Sequence, residues 1–119
     1  MEFCIKFYES LYRRRKSDLL VIQILSNLYA SSGDKRCSLK MDRRYVHLDP
    51  MNPIAYYNLA CDLSMSGKTK EAIEALDTAF SLGYNDLQWL YDDVDLDPIR
   101  HHSKFKHLIE SRFPDLSLR

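Results

Sequence analysis

Glycine is scarce in this chain, with three in 119 residues alongside four prolines. A sandwich or barrel turns often and uses more of both, so helices with short connections are expected instead. Charge of one sign is also missing. Lys plus Arg and Asp plus Glu number 17 each, for a formal net charge of zero. That leaves no net field to recruit nucleic acid or an anionic membrane. The longest apolar run, "LLVIQIL" at 19–25, falls far short of the roughly 18 residues a spanning helix needs. Glu2 and Lys6 interrupt the apolar residues at the start, so no secretory leader is expected. Cys4, Cys37 and Cys61 form no CxxC pair, which suits a reducing compartment and a cytoplasmic protein. No GxSxG, HExxH or phosphate-cradling glycine loop occurs. No catalytic residue and no cofactor are therefore expected, and the chain does not read as an enzyme.

What is present is a repeat. A shift of 34 residues places Leu25 on Leu59, Ser26 on Ala60, Gly33 on Gly67, Ser38 on Ala72 and Leu48 on Leu82. Large apolar, small and turn residues thus recur in one order, the signature of stacked supersecondary units. Each unit reads as two helices. In the second, Asn52 is a suitable N-cap and Pro53 suits the first helical position. Tyr56, Leu59, Ala60 and Leu63 then follow at helical spacing. Gly67 stops that helix. The next starts near Thr69, puts Ala72, Ile73, Leu76, Ala79 and Phe80 on its inner face, and ends at Gly83. All three glycines fall at expected helix stops. Ala60 and Ala72 are small residues among large apolar ones, and side chains of that size let two helix backbones approach to about 8–10 Å.

Tyr56, Leu59, Ala60, Gly67, Ala72 and Ala79 in one unit resemble the tetratricopeptide repeat, as do Leu25, Ser26, Tyr29, Gly33, Ser38, Leu48 and Pro50 in the other. The resemblance implies an all-α, right-handed α-α superhelix of about seven helices in a single domain. Its expected parts are an N-terminal helix over 1–18 resembling half a repeat, repeat one over 19–52, repeat two over 53–86 and a capping segment over 87–119. The last part is similar to the segment that follows the final repeat in some microbial members. It has Trp89-Leu90, an acidic turn, and a terminal helix carrying Phe105, Leu108, Ile109 and Phe113. Two positions depart from the pattern: Asp42 and Tyr45 stand where the second unit has Leu76 and Ala79.

The resemblance further implies a non-catalytic adaptor or scaffold that binds a peptide or protein segment on its concave face. Carried over, that face presents Gln23 and Asn27 from repeat one, Tyr57, Asn58, Cys61 and Met65 from repeat two, and Tyr91 from the next helix. Asn27 and Asn58 match asparagines that bond a peptide backbone in such grooves. Tyr57, Tyr91 and Met65 are the expected apolar anchors on a neutral surface. Gln23, Gln88 and Asp92 stand where cations would clamp a C-terminal carboxylate, so that mode is not expected. The alternative is a structural role: self-association, as a homodimer through residues 1–16, or an accessory part of a larger assembly. Phe3, Phe7 and Tyr8 there lack a preceding helix to cover them, and solenoids need covered ends.

Other candidates carry less. "DDVDLDP" at 92–98 begins like an EF-hand loop, but Pro98 replaces the required glycine and Lys104 the bidentate Glu. Its aspartates are expected to bond local backbone. "RRRK" at 13–16 fits the last turn of a helix, where cations suit the dipole. His101, His102 and His107 have no cysteine nearby to complete a zinc site, so no metal is expected.

Overall fold

The computed structural model describes residues 1–116, and within them every regular element is helical. The elements are α1 (Glu2–Arg14), α2 (Leu19–Ser31), α3 (Lys35–Leu48), α4 (Pro53–Met65), α5 (Thr69–Ser81), α6 (Leu87–Asp92), α7 (Asp97–Arg100) and α8 (Ser103–Arg112). Short 3-10 turns occupy Val94–Leu96 and Pro114–Leu116. This is eight α-helices among the described residues, not about seven, because the acidic turn contains the one-turn helix α7 opened by Pro98.

Local chemistry sets the boundaries. Asn52 Oδ1 accepts from the Ile54 and Ala55 amides at 3.0 and 3.2 Å, and Pro53 follows as the first helical residue. Asp18 caps α2 in the same way, through Leu20 and Val21. Gly67 ends α4 with φ +77°, while the Lys68 amide bonds Leu63 O at 2.9 Å and the Gly67 amide bonds Ser64 O at 3.1 Å. These two bonds satisfy carbonyls that the last helical turn leaves open. A Cβ at Gly67 would meet nothing within 4 Å, so a side chain there is opposed by backbone strain and not by a clash. Gly67→Val is expected to lower unfolding stability by at least about 1–2 kcal/mol, measured by urea denaturation, with Gly67→Asn less harmful.

Helices pack in sequence order: α1 on α2, α2 with α3, α3 on α4, and α4 with α5. The molecule is elongated, 50 × 26 × 22 Å, with a radius of gyration of 15.1 Å. A compact domain of this length would be nearer 13–14 Å, by the roughly 2.2·N^0.38 scaling. The apolar core is split. One cluster holds Val21, Ile22, Leu25, Tyr29 and Met41, with Ile5, Tyr8, Leu11 and Tyr12 of α1 against it. The other runs from Leu39 through α4 and α5 to Leu90, Leu96, Ile99, Phe105, Leu108 and Ile109. Phe113 meets Phe80 edge-on at 5.1 Å. Ala60 and Ala72 are fully buried in this second cluster. Tyr45 is partly buried and packs on the first cluster.

The cationic run sits at the end of α1, with Arg13 and Arg14 in its last turn. No described helix is long and apolar enough to cross a membrane.

Candidate functional site

The caps at Asp18, Asn52 and Asp86 start α2, α4 and α6, and those helices bound one open cavity of about 240 Å³. From α2 come Gln23, Ser26, Asn27 and Ala30; from α4 come Tyr57, Asn58, Cys61 and Asp62. Ser38 and Asp42 of α3 form part of the floor, and Trp89, Asp93 and Asp95 close the far side.

The floor is polar although it lies between two apolar clusters. Ser26 Oγ donates to Asp42 Oδ1 at 2.5 Å, and Ser38 Oγ donates to Asp62 Oδ2 at 2.8 Å. Asp42 and Asp62 are thereby linked through the two serine hydroxyls, whose oxygens lie 3.5 Å apart. Burial, together with the neighbouring Asp62 carboxylate, pushes the Asp42 carboxyl up to about 9. Two carboxylates in contact cannot both ionise cheaply, so the pair holds a proton at neutral pH.

The far wall is tied down through Asp93. Its Oδ2 accepts from the Tyr57 hydroxyl at 2.6 Å and from Cys61 Sγ at 3.5 Å, and its Oδ1 accepts from the Asp95 amide at 3.0 Å. Arg100 braces the same turn from behind, donating to Leu90 O at 3.2 Å and Asp93 O at 2.6 Å. Partial burial and the charges of Asp93 and Asp62 raise the Asp95 carboxyl. Burial, then the charges of Asp93 and Asp95, pushes the Cys61 thiol far up. It is a protonated core thiol and no nucleophile.

Of the seven residues expected on the groove, five line this cavity: Gln23, Asn27, Tyr57, Asn58 and Cys61. Met65 and Tyr91 are exposed, at 38% and 48%, and lie outside it. Tyr57 is not an accessible anchor. It is 3% exposed, its ring lies parallel to Tyr84 at 4.4 Å, and its hydroxyl is held by Asp93. Gln23 Nε2 donates to Asn27 Oδ1 at 3.2 Å, so these two amides already engage each other. The Asn58 amide is half-buried and has no hydrogen-bond partner among the described residues.

The surface is acidic, not neutral. Asp42, Asp62, Asp93 and Asp95 line the cavity, and none of the described residues lining it is Lys or Arg. Reading first-helix positions alone missed this, because Asp42 comes from α3 while Asp93 and Asp95 come from a turn folded against α4. Trp89 was missed as well. It is 60% exposed, and with Val94 at 71% it borders an adjoining apolar hollow.

Cys61 Sγ and carboxylate oxygens of Asp93 and Asp95 lie within 4.8 Å of one another, the arrangement closest to a metal-ligand set. Three donors fall short of the four of a structural zinc site, and Asp93 Oδ2 is taken by two hydrogen bonds. The three clustered histidines are exposed, and His102 Nδ1 instead accepts from the Lys104 amide at 3.1 Å to cap α8. Asp97 pairs with Arg100 at 3.1 Å. Cys4 is exposed on α1, so it is no core residue, whereas Cys37 packs on the first cluster. No family model matches the chain, and no curated protein matches it.

Proposed function

We propose that the chain is a tetratricopeptide-like, non-catalytic interaction module that holds a peptide or protein segment in the groove between α2, α4 and α6. The observation that carries this reading is the convergence of Gln23, Asn27, Asn58 and Cys61, from two units of the repeat, on one open cavity. The in-order packing of α2 to α5 and the 34-residue register support the family. The unpartnered Asn58 amide supplies a donor and an acceptor for a ligand backbone. Free thiols fit a reducing compartment, and the reading places the protein in the cytoplasm. Asn58→Ala and Trp89→Ala are the informative variants, because Tyr57→Ala would also empty part of the core. Peptides selected on the protein should lose affinity for both variants while the melting curves stay put. Binding that ignores both would move the search to the convex side.

Self-association is the second reading, and α1 favours it. Phe3 is 81% and Phe7 51% exposed on a helix that packs mainly on α2. Light scattering after size exclusion should then show a dimer that Phe3→Ser with Phe7→Ser dissolves. A strict monomer at tens of micromolar would remove this reading.

A further inference from the structure

We propose that the cavity takes a lysine or arginine side chain of the bound segment, with its cationic head among Asp62, Asp93 and Asp95 and its aliphatic stem along Trp89. This rests on the groove reading above and adds the residue class that the groove selects.

Charge complementarity is the first support. Four carboxyls face one small space, and the chain offers them no counter-charge. Among the described residues, the ion pairs of Arg43, Arg100 and Arg112 go to Glu71, Asp97 and Asp77, none of which lines the cavity. The second large cavity contrasts with this one, since Glu9 there is accompanied by Arg13 and Lys40. The fold thus balances charge in one hollow and leaves the other acidic.

A second, independent support is the cost of the floor. Thirty-four residues after Ser26, Ser38, Asp42 and Asp62 stand Ala60, Ala72, Leu76 and Leu96. All four of these are fully buried, so the same crossing in the second unit is dry and apolar. Folding alone is served by the apolar set. The polar set instead buries Ser26, Ser38 and Asp42 beside Asp62, and departures of this kind concentrate where a chain does something other than fold.

Size and the rim agree. At about 240 Å³ the space is below the roughly 300–1,000 Å³ usual for small-molecule pockets, which suits one inserted side chain. Trp89 lines the same cavity with its ring exposed, and a tryptophan face is the strongest aromatic partner for a guanidinium or ammonium group. Asn58 beside it can hold the backbone of the residue that inserts.

The test selects phage-displayed random octapeptides on the intact chain and resynthesises the recovered sequences for fluorescence anisotropy. One Lys or Arg position should recur. Replacing that residue with norleucine or citrulline should weaken binding at least about tenfold, and Asp95→Asn and Trp89→Ala should each weaken it several-fold. Peptides that lack a basic position yet lose affinity on Asn58→Ala would sink the cation inference and leave the groove standing. Failure to recover any peptide, or binding indifferent to Asn58→Ala and Trp89→Ala, would remove the groove reading and this one with it. Micromolar binding of calcium or zinc by the chain alone, blocking peptide and abolished in Asp95→Asn, would overturn the proposal in favour of a metal. Circular dichroism checks each variant's fold. If Asp95→Asn fails to fold, the citrulline comparison on the unaltered chain decides.

Discussion

Asp42→Asn should raise the unfolding midpoint in urea at pH 8, and it should remove part of the protein's pH dependence. In the folded chain the Asp42 carboxyl keeps its proton to about 9, held by burial and by Asp62. In the unfolded chain an aspartate releases it near 3.9. Below about pH 4 both states are protonated, and the group adds no slope. Between about 4 and 9 the folded state carries a proton that the unfolded state lacks. Unfolding then releases a proton, so stability falls as pH rises, by up to about 1.4 kcal/mol per pH unit. Above 9 the loss is complete and the slope vanishes. An amide has the same shape. Its oxygen still accepts from Ser26, and its N–H₂ donates to the Asp62 carboxylate without a proton to lose. The variant has no such slope, so its advantage over the native protein should widen from pH 5 to pH 8. Denaturation curves from pH 5 to 9 at constant ionic strength test it. Parallel pH profiles for the two proteins would show that Asp42 and Asp62 share no proton.

How much of this was legible beforehand follows from how far each cause lies along the chain. The Asn52 cap, the Pro53 start and the stop at Gly67 are interactions within five residues, and their residue types disclose them. The buried stripe Ala72, Ile73, Leu76, Ala79 and Phe80 follows from helical spacing in the same way. Phe3 and Phe7 were expected to lie uncovered on the first helix, and both are exposed. The cavity's character was not readable. Tyr57 looks like an anchor until Tyr84 and Asp93, 27 and 36 residues on, cover its ring and bind its hydroxyl. Asp42 reads only as a departure from the repeat until Ser26 and Asp62, 16 and 20 residues away on other helices, close around it. The aspartates of the acidic turn were expected to bond local backbone, and Asp93 Oδ1 does so at Asp95. Its other oxygen reaches across to α4, and no local pattern encodes that.

Leu76→Asp should be the most damaging single change in the chain, although Asp42 occupies the equivalent position one repeat earlier. Leu76 is fully exposed to packing and not at all to water, at 0% accessible surface. It shares its apolar cluster with Ala60, Ala72 and Leu96, which offer no side-chain donor or acceptor. A carboxylate left without a partner in such a place costs about 3–5 kcal/mol, a large share of the roughly 5–15 kcal/mol that holds a domain together. Protonation relieves the charge but leaves the acid's oxygens unbonded, and the lost leucine volume adds a cavity term. Leu76→Ala isolates that last contribution, at about 2–5 kcal/mol. The decisive comparison transplants the first crossing whole. Ala60→Ser, Ala72→Ser and Leu96→Asp added to Leu76→Asp rebuild the hydroxyl and carboxyl partners that Asp42 enjoys. Part of the lost stability should return, and the recovered protein should acquire a stability that falls from pH 5 to 9 as the native pair's does. If Leu76→Asp alone unfolds at nearly the original urea concentration, the second crossing admits water. The contrast between a dry and a polar crossing would then fail, and with it the argument that the first one is polar for the sake of a ligand.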